Sequence, residues 1–242
     1  MMESSGSDGD EPTLTDIRTR REAEWGVPSR QFQRWPALVA IAAALALYVT
    51  LPAHLYYGQA WFLPAIEAAL FIALLVSRQR EQVGHEWQRA LAIALIAVMS
   101  AANVSSLLLL IHDLLTGTPV HGTKIIASNL IIWSGQIWWT NVIVFGLWYW
   151  ELDRGGPVAR CLPHHRAPDF LFPQMANPDS APADWAPSFF DYLYTSFTNA
   201  AAFSPTDTMP LSEWAKALFM IQSFASILTA VLVIARIANI LP

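Results

Sequence analysis

Residues 188–216, SFFDYLYTSFTNAAAFSPTDTMPLSEWAK, decide how this chain must be built. Ser188 with Asp191 three positions later is a capping-box-like start. The run from Phe189 to Phe203 contains no Gly or Pro, which predicts a helix of about 15 residues. At a rise of about 1.5 Å per residue it falls well short of the roughly 30 Å of hydrocarbon in a bilayer. Its faces are unequal: Phe190, Tyr194 and Phe197 make one stripe, and Asp191, Thr195, Thr198 and Asn199 make the other. SPTDTMP then breaks the helix, Ser212 can cap the next one, and an apolar run begins at Ala217. A short helix, a non-helical return and a full span predict a re-entrant loop, a course that lipid admits only where protein or a water-filled cavity satisfies the exposed backbone.

Apolar blocks flank this stretch: Trp35 to Leu51, Ala60 to Ser77, Ala90 to Ile111 and Ile125 to Trp150 before it, and Ala217 to Ala235 after it. Each is long enough to span, the first only just. Their ends carry Trp35, Tyr56, Tyr57, Trp61, Trp148, Tyr149, Trp150 and Trp214, the aromatic belts expected at membrane interfaces. The chain is 54% hydrophobic and only 14% charged, about half the charged share of a soluble domain, with a mean hydropathy of +0.35. The expected fold is an all-α membrane protein with five transmembrane helices and a re-entrant, pore-loop-like half-helix between helices four and five. It divides into a tail (1–34), a four-helix membrane region (35–150), a Pro-rich loop (151–187) and the loop-plus-last-helix module (188–242).

The tail is rich in Gly, Ser and acids and buries too little apolar surface to order itself, so it is expected to be disordered. It does not read as a cleavable signal peptide. Arg18, Arg20, Arg21, Arg30 and Arg34 precede the first block, and Arg78, Arg80 and Arg89 fall between the second and third. The loops at 52–59 and 112–124 hold only Lys124, so the positive-inside rule places the amino terminus in the cytoplasm. Arg154, Arg160 and Arg166 put the Pro-rich loop on the same side. Twelve Arg against two Lys, with abundant Ala, fits a GC-rich bacterial genome and hence a bacterial inner membrane.

Net charge is −5, and no basic surface suggests nucleic acid. The single Cys161 excludes an internal disulfide and any multi-cysteine metal site. Cys161, His164, His165 and Asp169 are the nearest approach to a metal cluster, but nothing fixes them in tetrahedral reach, and they read as solvated loop residues. No nucleophile motif, phosphate loop or paired-carboxylate arrangement occurs, so an enzyme is the least supported class and no cofactor is expected.

Within the blocks, Gln222, Ser226, Thr229 and Arg236 share one face of the last helix, as either a pore lining or a hydrogen-bonding helix seam would require. Asn129, Gln136 and Thr140 share a face of the fourth helix, with Ser134 and Asn141 on another. Ser100, Asn103 and Ser106 in the third read as packing groups. Glu67 is the one formally charged side chain inside the blocks. An intramembrane acid is costly, which makes it a candidate proton carrier or ion ligand; its ordinary reading is a protonated or interfacial carboxyl.

A re-entrant helix points its carboxyl end, with roughly half a negative charge, into the membrane, and the return offers carbonyls and the hydroxyls of Ser204, Thr206 and Thr208. From Phe189 to Leu218 the sequence resembles the pore helix, filter and inner-helix start of potassium-channel pore domains. The likeness lies in the aromatic-rich helix, Ser196 and Thr198, then Asp207, Pro210 and Lys216. Where that family carries Thr-Val-Gly-Tyr-Gly, this chain has Ala202, Phe203, Ser204, Pro205 and Thr206. Both glycines that let filter carbonyls face an ion are absent. Potassium channels also place the loop on the outer face, whereas the charge pattern here places it inside. Over most of its length the chain resembles uncharacterised bacterial multi-pass membrane proteins with a Phe-Pro loop such as Phe172-Pro173, a likeness that brings no established activity.

The pore likeness implies a homotetramer around a monovalent cation, with Ser204 to Thr208 as the constriction, Asp207 behind it, and Gln222, Ser226 and Thr229 lining the path. The alternative is a non-conducting structural or regulatory membrane protein in which the half-helix only closes a bundle. A third class is a proton-coupled carrier using Glu67.

Overall fold

The computed structural model describes residues 35–56, 61–79, 85–116, 127–161, 166–177, 179, 182, 185–202 and 207–240. The elements are α1 (Trp35–Val49), α2 (Phe62–Gln79), α3 (His85–Thr116), α4 (Ala127–Leu152), β1 (Phe170–Leu171), α5 (Pro173–Ala176), α6 (Phe189–Ala202), β2 (Met209–Pro210) and α7 (Glu213–Ile240). Each apolar block has become a helix. Three of them, α3, α4 and α7, are long and apolar enough to cross a membrane; α1 and α2 are shorter. At 15 residues α1 reaches about 22 Å.

The bundle runs up and down. One end gathers the start of α1, the end of α2, the start of α3 and the end of α4; Ala37, Leu74, Ala92, Leu147 and Trp150 share one buried cluster there. The opposite end gathers Tyr48 of α1, Leu51 and Leu55 just after it, Leu107 to Leu114 of α3, Leu130 of α4 and Val233 of α7. The first is here called the loop end, because the 151–187 connection folds over it.

α6 runs antiparallel to α4 and covers half of it. Phe189 and Tyr192 meet Trp150 edge-on at 5.9 and 5.5 Å, the Ser196 hydroxyl donates to the Val142 carbonyl at 2.6 Å, and Phe197 stacks on Trp139 at 5.7 Å. Successive turns of α6 therefore step down α4 from its last turn to near its midpoint. Gly146 allows this approach: a Cβ there would lie 3.2 Å from Leu193 Cα and 3.3 Å from Leu193 Cδ1. By Met209 the chain is back at the loop end, where β2 pairs antiparallel with β1, Phe170 opposite Pro210 and Leu171 opposite Met209. α7 then descends beside α6 and α4.

The faces of α6 and α7 are inverted relative to a water-soluble amphipathic helix. Phe190, Tyr194 and Phe197 are exposed, Phe190 at 70%, while Thr195, Ser196, Thr198 and Asn199 are buried. On α7, Met220 and Phe224 are 72% and 69% exposed, whereas Gln222, Ser226 and Thr229 are buried. A continuous exposed apolar surface of this kind marks a region that meets something other than water.

The Pro-rich connection, expected to be irregular, is folded where it is described. It opens with a turn in which Arg154, Gly155 and Gly156 all have positive φ, at 53°, 86° and 102°. Phe170 is fully buried between Tyr149, Phe219, Trp214 and Tyr192, with ring centroids 5.1 to 6.1 Å away. Isolated aromatic anchors and turn glycines hold this segment, neither of which produces periodicity. The helix cap is as expected: Asp191 Oδ2 accepts from both the backbone N–H and the hydroxyl of Ser188, each at 2.7 Å. The helix ends at Ala202; Phe203 lies outside the described residues.

Replacing Gly146 by Leu drives a side chain into the backbone of α6. Overpacking of this kind costs about 1–3 kcal/mol, and the expected result is a lower thermal unfolding midpoint in detergent together with changed quenching of Trp138 and Trp139 by added acrylamide.

Candidate functional site

Two layers of buried polar groups lie along α6, one at mid-depth and one at the loop end. The mid-depth layer centres on Gln222. Its Oε1 accepts from the Tyr149 hydroxyl at 2.6 Å and from Asn199 Nδ2 at 2.8 Å. Its Nε2 donates to the Ser196 carbonyl at 2.9 Å and to Ser196 Oγ at 2.7 Å. Asn199 also donates to the Phe219 carbonyl at 3.1 Å, and its Oδ1 accepts from Ser223 at 3.0 Å. Below this, Asn141 Nδ2 donates to Ser226 Oγ at 3.1 Å, and Thr229 bonds the Ala225 carbonyl of its own helix. Gln222 is 0% exposed, and both halves of its amide have two partners.

The loop-end layer centres on Asp153, which is fully buried just past the end of α4. Its Oδ2 accepts from the Tyr192 hydroxyl at 2.6 Å and lies 3.5 Å from Arg154 Nε and 3.9 Å from Arg160 Nη1. Its Oδ1 accepts from the Asp169 backbone N–H at 2.9 Å. Asp169 in turn accepts from the Arg154 N–H at 2.8 Å and from Trp214 Nε1 at 3.0 Å. Arg160 donates to the Trp150 and Asp153 carbonyls at 2.7 and 3.1 Å, and its guanidinium covers the Trp150 ring at 4.3 Å. Two carboxylates and two guanidiniums thus sit within one buried node that ties α4, the connection, α6 and α7 together. The Thr195 and Thr208 hydroxyls add a further tie at 3.2 Å.

The residues singled out from sequence fall in different places. Gln222, Ser226 and Thr229 all lie on the buried seam of α7. Thr198 is buried and bonds the Tyr194 and Thr195 carbonyls of its own helix. Ala202 is exposed at the end of α6, and Asp207 is exposed where description resumes. Phe203, Ser204, Pro205 and Thr206 lie outside the described residues, as do His164, His165 and the side chain of Arg236. Glu67 is 1% exposed on α2, toward the end opposite the loop. Beside it, Tyr56 donates to the Tyr48 carbonyl at 2.6 Å; burial and then the Glu67 carboxylate raise the Tyr56 phenol above its ordinary pKa. At the same end His54 and Asp113 approach to 3.8 Å.

Two readings change. Asp169 is a built-in acceptor of the loop-end node instead of a solvated loop residue, and Tyr56, Tyr149 and Trp150 are buried instead of standing exposed in an interfacial belt. Among the described residues no group of three or more His, Cys, Asp or Glu is placed to hold a metal, and Cys161 bonds the Pro157 carbonyl. Sequence reasoning missed Asp153 and Tyr192, and it read Arg154 and Arg160 only as topology signals and Trp214 only as a belt residue. The Arg-Gly-Gly turn at 154–156 was the available signal, since consecutive glycines after a helix mark a special backbone that something must hold.

The arrangement braces α6. Among the described residues it presents no aligned nucleophile and base, and its polar atoms are mostly engaged with each other, which fixes α6 against α4 and α7. No family model, curated protein or solved structure matches the chain.

Gln222→Leu keeps the volume but removes four hydrogen bonds, and an expected loss on the order of 2–3 kcal/mol follows from the groups left unpaired; Phe224→Leu on the exposed face is the neutral comparison. Asp153→Asn leaves two buried guanidiniums with Asp169 as the one carboxylate named in their node, for an expected loss of about 3 kcal/mol. Urea titration in mixed micelles, followed by Trp fluorescence, reads both.

Proposed function

We propose that the chain is an integral membrane protein of five spans in which residues 189–210 form a re-entrant loop. The observation that carries this is the inversion of α6: its aromatic stripe faces outward, its polar stripe is buried, and it stops at the middle of α4 before the chain turns back. Lipid demands that arrangement, because exposed aromatic surface is favourable in hydrocarbon and unpaired polar groups are not. α1 and α2 span as members of the same up-and-down bundle, with the thinning and tilting that short helices require. The arginines at the loop end support a cytoplasmic face for it.

On this reading the protein is channel-like, a homotetramer whose loops converge on a shared axis, with the residues from Ser204 up to Asp207 proposed to line a monovalent-cation path; Thr208, buried against Thr195, stands behind it. The carboxyl end of α6, aimed at mid-depth, supplies the favourable field. Both polar layers hold that end in place. Gln222, Ser226 and Thr229 are turned into the seam, away from any such path.

The saturation of the Gln222 layer favours a second reading, in which α6 closes a non-conducting bundle with a structural or regulatory role. Purified full-length protein in liposomes distinguishes the two. A potassium or sodium flux weakened by Ser204→Ala, with a tetrameric mass in detergent, is the expected result; no flux for any monovalent cation, with a monomeric mass, establishes the second reading. Cysteines placed at Asp179 and Gln59, probed from each side of the membrane, are expected to label from the inside and the outside respectively.

A further inference from the structure

At the loop end, α1, α3 and α4 part around a cavity of about 350 Å³, closed on one side by the Gly155–Ala159 turn. Its walls are apolar: mainly the aliphatic Ala37, Ile41, Leu74, Ala92 and Ile96, with Trp150 as the aromatic member. From Glu86 to Ile96 it follows α3 for about 15 Å. The mouth is different. Glu86, Arg89 and Glu151 ring it, and Arg89 reaches across the bare backbone of Gly156, where Nε would come 3.2 Å from a Cβ. Gln88, also at the mouth, donates its amide to the Ser77 carbonyl at 3.2 Å.

A purely apolar ligand gains nothing from such a rim, and a polar one gains nothing from such walls. The volume is that of a small ligand site, with apolar lining and a few orienting polar groups. Two carboxylates and one guanidinium around an aliphatic slot complement an acyl chain whose headgroup carries both an ammonium and a phosphate. We infer that the cavity binds one acyl chain of an ethanolamine phospholipid, its phosphate on Arg89 and its ammonium between Glu86 and Glu151. Its position suits this ligand: the mouth lies at the level of the helix termini, where headgroups lie when the bundle sits in a bilayer, and the slot runs inward from there.

The site stands or falls independently of conduction. Full-length protein in detergent is titrated with lysophosphatidylethanolamine and observed by native mass spectrometry. The expected result is a single saturable adduct per chain, with lysophosphatidylglycerol, which lacks the ammonium, binding about tenfold more weakly. Ala92→Trp fills the slot and is expected to abolish the adduct, while Phe224→Trp on the exposed face of α7 retains it. Arg89→Gln changes an exposed side chain, leaves helicity by circular dichroism unaltered, and is expected to weaken binding about tenfold. Equal adducts on the parent, Ala92→Trp and Arg89→Gln chains overturn the site, as does an unsaturable ladder of adducts that ignores the headgroup.

Discussion

A polar side chain in apolar surroundings must find its partners within its own protein, and Gln222 is where this chain meets that requirement. One amide joins three helices: its oxygen accepts hydrogen bonds from Tyr149 of α4 and Asn199 of α6, and its nitrogen donates two to Ser196. Shifting α7 by a single residue would turn the amide toward the outward face, where Met220, Ile221 and Phe224 now sit, and leave four groups unpaired. The register of α7 against α6 is therefore set by hydrogen bonding, while the aliphatic contacts around it tolerate many registers. This division suits a protein whose exterior is as apolar as its interior, because burial alone gives little direction there.

The Asp153 node performs the same task at the loop end with charges instead of amides. A neutral hydrogen-bonded layer and an ionic layer, separated along α6, fix the helix at two depths, so it neither slides along α4 nor swings from it. The order of the two is physically reasonable. Ions are least costly where water and headgroups are near, and neutral amides are the cheaper choice deeper in the bundle.

Much of this was legible in the residues and some was not. The apolar blocks announced the long helices because burial length leaves a direct trace in composition, and Ser188 with Asp191 announced the start of α6 because capping chemistry is local. The offsets of Gln222, Ser226 and Thr229 announced a polar face, although only coordinates could say what it met. The partner Tyr149 was hidden because a tyrosine at the end of an apolar run looks the same whether it lies in a belt or inside a bundle. Asp153 was hidden for a related reason. A carboxylate beside arginines in a Pro-rich stretch reads as solvated, and its burial is decided by Tyr192 and Trp214, many residues away.

The β1–β2 pair has one more implication. Leu171 pairs with Met209, the Leu211 N–H donates to the Asp169 carbonyl, and Trp214 reaches the Asp169 carboxylate, so the connection and the first turn of α7 are stitched into one corner. Anything that displaces the connection therefore pulls directly on the helix that carries Gln222.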